Sequence, residues 1–308
     1  MALNLRARGR TVGFPRRPLV MGIVNLSGDS FSGDGLPDPV QALRRAGELA
    51  DAGADIVDVG AETARTGRRA ISEEEEIARL QPFLQGYREA ILSRQPVDAV
   101  QLWPPLLSVN TWRPEVAAAA LEGGAEILND IGGLPDGFTA ERCAEHRAAL
   151  VIMHTEGEPK RDHRHVRYRD LWGQILEFFD QRIACALAAG LPADRIILDP
   201  GIDFAKSGDD NLRILAGLER LTRGRPFPVL FPVSRKTVIG EVLELSDPAQ
   251  RDAGTAACLT AGWRRGAAVF RVHEAAMASK ILRVLEALEP GQAFQLGDKP
   301  ARKVGSGG

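Results

Sequence analysis

Residues 114–130 read Pro114-Glu-Val-Ala-Ala-Ala-Ala-Leu-Glu122-Gly123-Gly124-Ala-Glu126-Ile-Leu-Asn129-Asp130. A segment of helical period stops at a glycine pair, an apolar run follows, and that run closes on two polar groups. Glycine is a common helix stop because it takes the left-handed conformation without steric cost. A short apolar run fits a strand buried on both faces. The stretch therefore reads as one helix-to-strand step around a parallel sheet.

Working outward, the same step recurs along the chain. Strand candidates are Leu19–Asn25, Asp55–Gly60, Leu106–Asn110, Glu126–Asn129, Ala149–His154, Arg195–Asp199, Pro228–Val233 and Ala267–Val272. Between them lie helical segments such as Val40–Ala52, Glu73–Ser93, Pro114–Glu122, Leu171–Ala189, Asp210–Leu221 and Ala275–Leu288, several ending at a glycine such as Gly53, Gly190 or Gly266. Ser72 before a run of glutamates reads as a helix start, since its hydroxyl can cap free amides and the carboxylates suit the positive dipole end. Eight βα units predict a single (β/α)8 barrel of the α/β class. An open doubly wound sheet would normally carry a glycine-rich turn after its first strand, and Asn25-Leu26-Ser27-Gly28-Asp29 is not one. We expect an N-terminal extension or hairpin over 1–18, the barrel over 19–290 and a flexible tail over 291–308. The proline-rich stretch Val97–Pro105 reads as a loop at the amino end of the barrel.

Composition narrows the function. The 308 residues carry a formal net charge of −2, so nucleic acid and anionic membranes are not expected partners. No run reaches the roughly 18 apolar residues of a membrane span, and the N-terminal segment lacks a signal-peptide core, which predicts a cytoplasmic protein. Cys143, Cys185 and Cys258 are odd in number and widely spaced, and read as small hydrophobes rather than disulfide partners.

Catalytic groups of such a barrel come from the carboxyl ends of its strands. Here those ends are Asn25, Glu62, Asn110, Asn129 with Asp130, His154, Asp199, Ser234 to Lys236, and Arg271 with His273. Metal-ligand Cys/His spacing, a nucleophile elbow and a Walker loop are all missing. His163 and His165 beside Asp162 sit in an arginine-rich loop and read as solvated. A basic pair, Lys236 and Arg271, faces amides and one carboxylate, which suits an anionic leaving group beside a neutral hydrogen-bonding heterocycle. The residues alone leave Asp199 open as a turn cap before Pro200-Gly201, and Arg271 as a partner of Glu274 or Asp34.

From near residue 19 to near residue 288 the chain resembles dihydropteroate synthase. Met21-Gly-Ile-Val-Asn-Leu-Ser-Gly-Asp-Ser-Phe-Ser-Gly-Asp-Gly35 and Val59-Gly-Ala-Glu-Thr-Ala-Arg-Thr-Gly67 are similar to the first two signatures of that family. Ser108-Val-Asn-Thr111, Asn129-Asp-Ile131, Met153-His154, Asp199-Pro-Gly201, Ser234-Arg-Lys236 and Arg271-Val-His273 match the others in order. The resemblance implies condensation of 6-hydroxymethyl-7,8-dihydropterin diphosphate with p-aminobenzoate or a related amine, releasing pyrophosphate. It implies that Asp199 and Asn129 bind the pterin edge, that Lys236 lies along the ring, and that Arg271 and His273 bind the leaving group. Arg65, Ser234 and Phe204 complete the substrate contacts, and Lys236, Arg271 and Asn110 are the catalytic candidates. Mg2+ is the implied cofactor, with Asn25 as its ligand, and a homodimer the implied assembly.

Departures from the family pattern cluster by subsite. Ser27-Gly28 stands where Thr-Pro is usual, Thr63-Ala64-Arg65-Thr66 where Ser-Thr-Arg-Pro is usual, and Asn110 where strand three carries an aspartate. Ile202-Asp203-Phe204-Ala205-Lys206 replaces Ile-Gly-Phe-Gly-Lys, placing an acid where glycine is usual. Pterin positions are mostly kept, while those serving the amine and the diphosphate are altered. A pterin-dependent methyltransferase and a pterin-binding paralogue without synthase activity are the competing expectations.

Overall fold

The computed structural model describes residues 3–14, 17–27, 35–64, 68–161 and 166–289. Strands β1 (Leu3–Ala7) and β2 (Arg10–Phe14) pair antiparallel as a hairpin. There follow β3 (Leu19–Asn25), α1 (Pro39–Asp51), β4 (Ile56–Gly60), α2 (Glu73–Leu92), β5 (Leu106–Thr111), α3 (Pro114–Glu122), β6 (Ile127–Asp130) and α4 (Phe138–Glu145). Next come β7 (Ala149–Met153), α5 (Leu171–Ala188), β8 (Ile196–Asp199), α6 (Gly208–Ala216) and α7 (Glu219–Thr222). The series ends with β9 (Leu230–Phe231), α8 (Thr237–Leu243), α9 (Asp252–Arg264), β10 (Val269–Val272) and α10 (Ala275–Leu288). Strands β3 to β10 pair in parallel in the order β8-β7-β6-β5-β4-β3-β10-β9. The ring closes where Leu198 of β8 bridges Val229, just ahead of β9. The fold is the (β/α)8 barrel that the repeat predicts. Among the described residues no helix is long and apolar enough to cross a membrane.

Local chemistry explains the element ends. Ser72 accepts a hydrogen bond from the Glu75 amide at 3.2 Å, so the glutamate run is a capped helix start. Gly190, after α5, has φ +87°, the left-handed stop read from the sequence. Two elements differ from expectation. The strand expected over Pro228–Val233 is only Leu230–Phe231, because Pro228 and Pro232 have no N–H to give the ladder. The helix expected over Asp210–Leu221 starts earlier, at a Ser207/Asp210 capping box, and breaks at Gly217 into α6 and α7.

Strand parity then sets what lies inside the ring. Alternate residues Leu19, Met21, Ile56, Leu106, Ile127, Ile197 and Val269 pack with Leu5, Val12 and Phe14 of the hairpin, which plugs the amino end of the barrel. The intervening residues, such as Val20, Val57, Leu128 and Leu198, pack under the helices. One step further along the same inner rows the apolar residues give way to polar ones. Ile56 is followed by Asp58, Leu106 by Ser108 and Asn110, Ile127 by Asn129, Ile197 by Asp199, and Val269 by Arg271. The alternation that builds a dry core below therefore builds a polar floor above it.

Candidate active site

The polar floor is organised by Asp58, which the listing of strand-closing residues overlooks. It is fully buried in β4 and accepts from Ser108 Oγ at 2.6 Å, Asn129 Nδ2 at 3.2 Å and Arg271 Nε at 2.7 Å. A buried carboxylate is tolerated when it is paired and hydrogen-bonded, and the charged donor makes the strongest of these bonds. Arg271 thus pairs with neither Glu274 nor another surface acid among the described residues. It is Arg235 that lies 3.4 Å from Glu274 and forms a two-point pair with Asp252, turning the middle residue of Ser234-Arg235-Lys236 away from the cavity. With its amide nitrogen on Asp58, Asn129 keeps Oδ1 buried and without a protein partner in the wall of a cavity of about 410 Å³. That oxygen is an acceptor for a ligand N–H.

Asp199 closes β8 on the same cavity. Its Oδ1 accepts from the Gly201 amide at 2.7 Å, so it does cap the following turn, and its other oxygen is left to the cavity. Gly201 has φ +68°, and a Cβ there would collide with the His154 carbonyl oxygen. Burial pushes the Asp199 carboxyl up to about 6, against the pull of the Gly201 amide and the charges of Lys236, Lys206 and Arg271. Behind it, Lys206 donates to Phe204 O at 2.9 Å and His154 O at 3.3 Å and meets His154 Nδ1 at 2.9 Å. Burial lowers the Lys206 ammonium to about 7, and burial with the Lys206 charge lowers the His154 ring to about 2. His154 is therefore a neutral packing residue against Phe178, at 4.7 Å between centroids.

Cations line the same cavity. Lys236 donates to Ile202 O at 2.9 Å and lies 4.7 Å over the Phe204 ring. Ser234 Oγ accepts from the His273 amide at 3.2 Å and meets its Nδ1 at 2.9 Å, so Ser234 orients His273 at the cavity edge. Asn25 and Asn110 line the same cavity from β3 and β5. Glu62 does too, but its carboxylate serves an ion cluster with Arg113, Lys160 at 2.5 Å and, through Arg113, Glu76. Arg65, Asp34, and the loop with Asp162, His163 and His165 lie outside the described residues. The structure thus brings Asn25, Asn110, Asn129, Asp199, Phe204, Ser234, Lys236, Arg271 and His273 around one cavity.

Amides, a carboxyl and cations at the strand ends suit a neutral hydrogen-bonding heterocycle beside an anionic group, and residues 21–273 match the family described as pterin binding enzyme, which gives the class of this barrel. The chain is 35% identical over 286 residues to dihydropteroate synthase of Bacillus subtilis (strain 168), spanning 92% of this chain and 93% of the relative. It is similar to Xanthomonas albilineans dihydropteroate synthase solved with 4-aminobenzoic acid, with TM-score 0.81, 33% identity, and 95% and 100% of the two chains covered. A Burkholderia cenocepacia dihydropteroate synthase complexed with 7,8-dihydropteroate matches with TM-score 0.80 and 32% identity over 93% and 97% of the chains. The chain belongs to the dihydropteroate synthase family, as a dihydropteroate synthase-like transferase. These relatives do not favour the methyltransferase or non-catalytic expectations.

Proposed function

We propose that the barrel, residues 19–290, transfers a pterinyl methylene group from a pterin diphosphate to an amine. The observation that carries this reading is the presence of the partnerless buried acceptor Asn129 Oδ1, the Asp199 carboxyl and the cations Lys236 and Arg271 around one cavity. Asp199 and Asn129 accept from the N–H edge of the pterin, a match that only a group with fixed acceptors makes. Lys236 covers the ring beside Phe204. The amine lone pair then forms a bond to the methylene carbon while the carbon–oxygen bond breaks, its electron pair leaving on the diphosphate and the amine proton passing to solvent. Arg271, held by Asp58, and His273, held by Ser234, meet the departing charge. Asn110 sits beside Asn129 in the sheet, where a neutral amide faces the ring. Arg65 is kept as a substrate contact on the family resemblance.

Among the described residues no group of three or more His, Cys, Asp or Glu side chains could hold a metal. Asn25 lines the cavity and is the residue that would hold the ion. A single amide ligand type fits a Mg2+ ion held largely by the substrate, since Mg2+ is commonly bound by one or two protein oxygens together with phosphates and water. When bound, the ion supplies neutralisation of the leaving diphosphate. A homodimer and a cytoplasmic location are part of the same proposal and rest on the family precedent; light scattering checks the assembly.

Calorimetry with a pterin diphosphate tests the pterin anchor. Asp199→Ala leaves ligand donors unpaired and is expected to weaken binding by about 2–5 kcal/mol. Unchanged affinity in a folded variant would remove the pterin reading.

A further inference from the structure

We propose that Asp203 is a positioning residue: it binds the segment after β8 to the start of α8 and so fixes where Lys236 meets the pterin. The inference rests on the transfer reading above, which puts Lys236 along the ring, and it assigns the residue that holds Lys236 there. The backbone after Asp199 turns left-handed at every second residue, with φ +68° at Gly201, +66° at Asp203 and +51° at Ala205. Glycine takes that conformation without steric cost, whereas a residue with a side chain keeps it only where its surroundings hold it. Asp203 stands where the family pattern has glycine, so its carboxylate is not there for the sake of the turn.

The bonds of that carboxylate join two βα units. The Asp203 amide donates to Asn211 Oδ1 at 2.9 Å and its own Oδ1 accepts from Asn211 Nδ2 at 2.9 Å, which ties the segment to a buried residue of α6. Its Oδ2 accepts from the Thr237 amide at 2.5 Å. Thr237 is the first residue of α8, so its amide has no acceptor within the helix, and Lys236 before it supplies no side-chain cap. The two neighbours of Asp203 hold the other end of Lys236: Nζ donates to Ile202 O at 2.9 Å and lies 4.7 Å from the centre of the Phe204 ring. Residues 202–204 thus grip 236–237 at three points, two on the ammonium and one on the backbone beside it. Lys206 Nζ donates to Phe204 O at 2.9 Å and Tyr168 OH to Ala205 O at 3.0 Å, so the gripping segment is itself fixed. A ligand can draw the ammonium away from its two contacts, but the Asp203–Thr237 bond still keeps the residue in register. Displacing such a group by about 1 Å can cost on the order of a hundredfold in rate.

The test is calorimetry with the pterin diphosphate and Mg2+ on native protein, Asp203→Gly, Asp203→Asn, Lys236→Met and the double variant Asp203→Gly with Lys236→Met. Asp203→Gly suits the backbone and removes both carboxylate bonds, so affinity is expected to fall at least about fivefold, even though losing a negative charge by itself favours an anionic ligand. Asp203→Asn loses the same charge, tolerates the left-handed backbone and keeps an oxygen for the Thr237 amide; it is expected to return to within about twofold of native. With Lys236→Met already in place there is no ammonium left to position, and Asp203→Gly is expected to change affinity by less than about twofold. Native affinity in Asp203→Gly, no recovery in Asp203→Asn, or an equal loss with and without Lys236 would overturn the inference. Native protein that does not bind the pterin diphosphate, or Lys236→Met with native affinity, fails the transfer reading's use of Lys236 first, and this inference with it.

Discussion

Arg271 Nε on β10 donates to Asp58 Oδ2 on β4 at 2.7 Å, reaching past the intervening strand β3. The inner rows of alternate strands form a layer in such barrels, so residues 213 apart in sequence become neighbours. Because the same oxygen of Asp58 also takes the Asn129 amide, one carboxylate sets both a cation and a ligand acceptor.

Asp58→Ala strips a half-buried cation and a buried amide of their partner and is expected to destabilise the protein by about 2–4 kcal/mol. Asp58→Asn is the sharper variant. It keeps the shape but loses an acceptor and the charge, so pterin diphosphate affinity should fall at least about tenfold, or about 1.4 kcal/mol, with a smaller loss of stability. Urea unfolding and calorimetry measure the two effects separately. Native pterin affinity in Asp58→Asn would show that Arg271 and Asn129 do not depend on it.

Asp199 couples stability to binding through pH. Burial pushes its folded carboxyl up to about 6 from an ordinary value of 3.8, so between those values the native state holds more protons than the unfolded one, and stability falls as pH rises through that window. Asp130, raised to about 6 by burial, works in the same direction. Asp199→Asn should therefore make the ligand-free protein about 1–3 kcal/mol more stable at pH 7.5 while weakening pterin binding, since its amide oxygen can still accept from Gly201. Native pterin affinity should likewise fall below about pH 6 as the carboxylate is protonated. Equal stability of native and variant across pH 4–8 would refute the assignment.

Asn110→Asp restores the acid usual in the family beside Asn129. Positive charge spreading from the methylene into the ring would be stabilised by up to about 4 kcal/mol at an effective dielectric of about 20 and a distance of about 4 Å. The native protein is expected to be roughly 10- to 1000-fold slow with the standard substrates, and the variant to gain at least about tenfold in turnover. No gain with pterin binding retained would mean that the amide suits this protein's own substrate.

Much of this site was legible before the fold was known, for a physical reason. Strands buried on both faces read as apolar runs, so Asn25, Asn129 and Asp199 stand out as the polar residues that end them, and Arg271 as a charge one residue before the end of its own. Asp58 was missed because it lies within a run, Ile56-Val-Asp-Val-Gly60, rather than after it. Parity held the signal: Asp58 shares a face with Ile56, and a charge inside a two-face-buried strand demands partners. The pairing of Arg271 was not legible, since barrel closure, not sequence distance, brings β10 to β4. Nor was the carboxylate of Asp203 at the Thr237 amide, which depends on a left-handed backbone at a non-glycine residue.

The most direct test of the transfer reading is one reaction: native protein with the pterin diphosphate, Mg2+ and 4-aminobenzoate, with pyrophosphate and the condensed pterin–amine product both quantified. The account predicts the two products in equal amounts, and their loss in Asp199→Ala and in Arg271→Ala. Tight pterin diphosphate binding with no condensed product, or products undiminished in those variants, would contradict it.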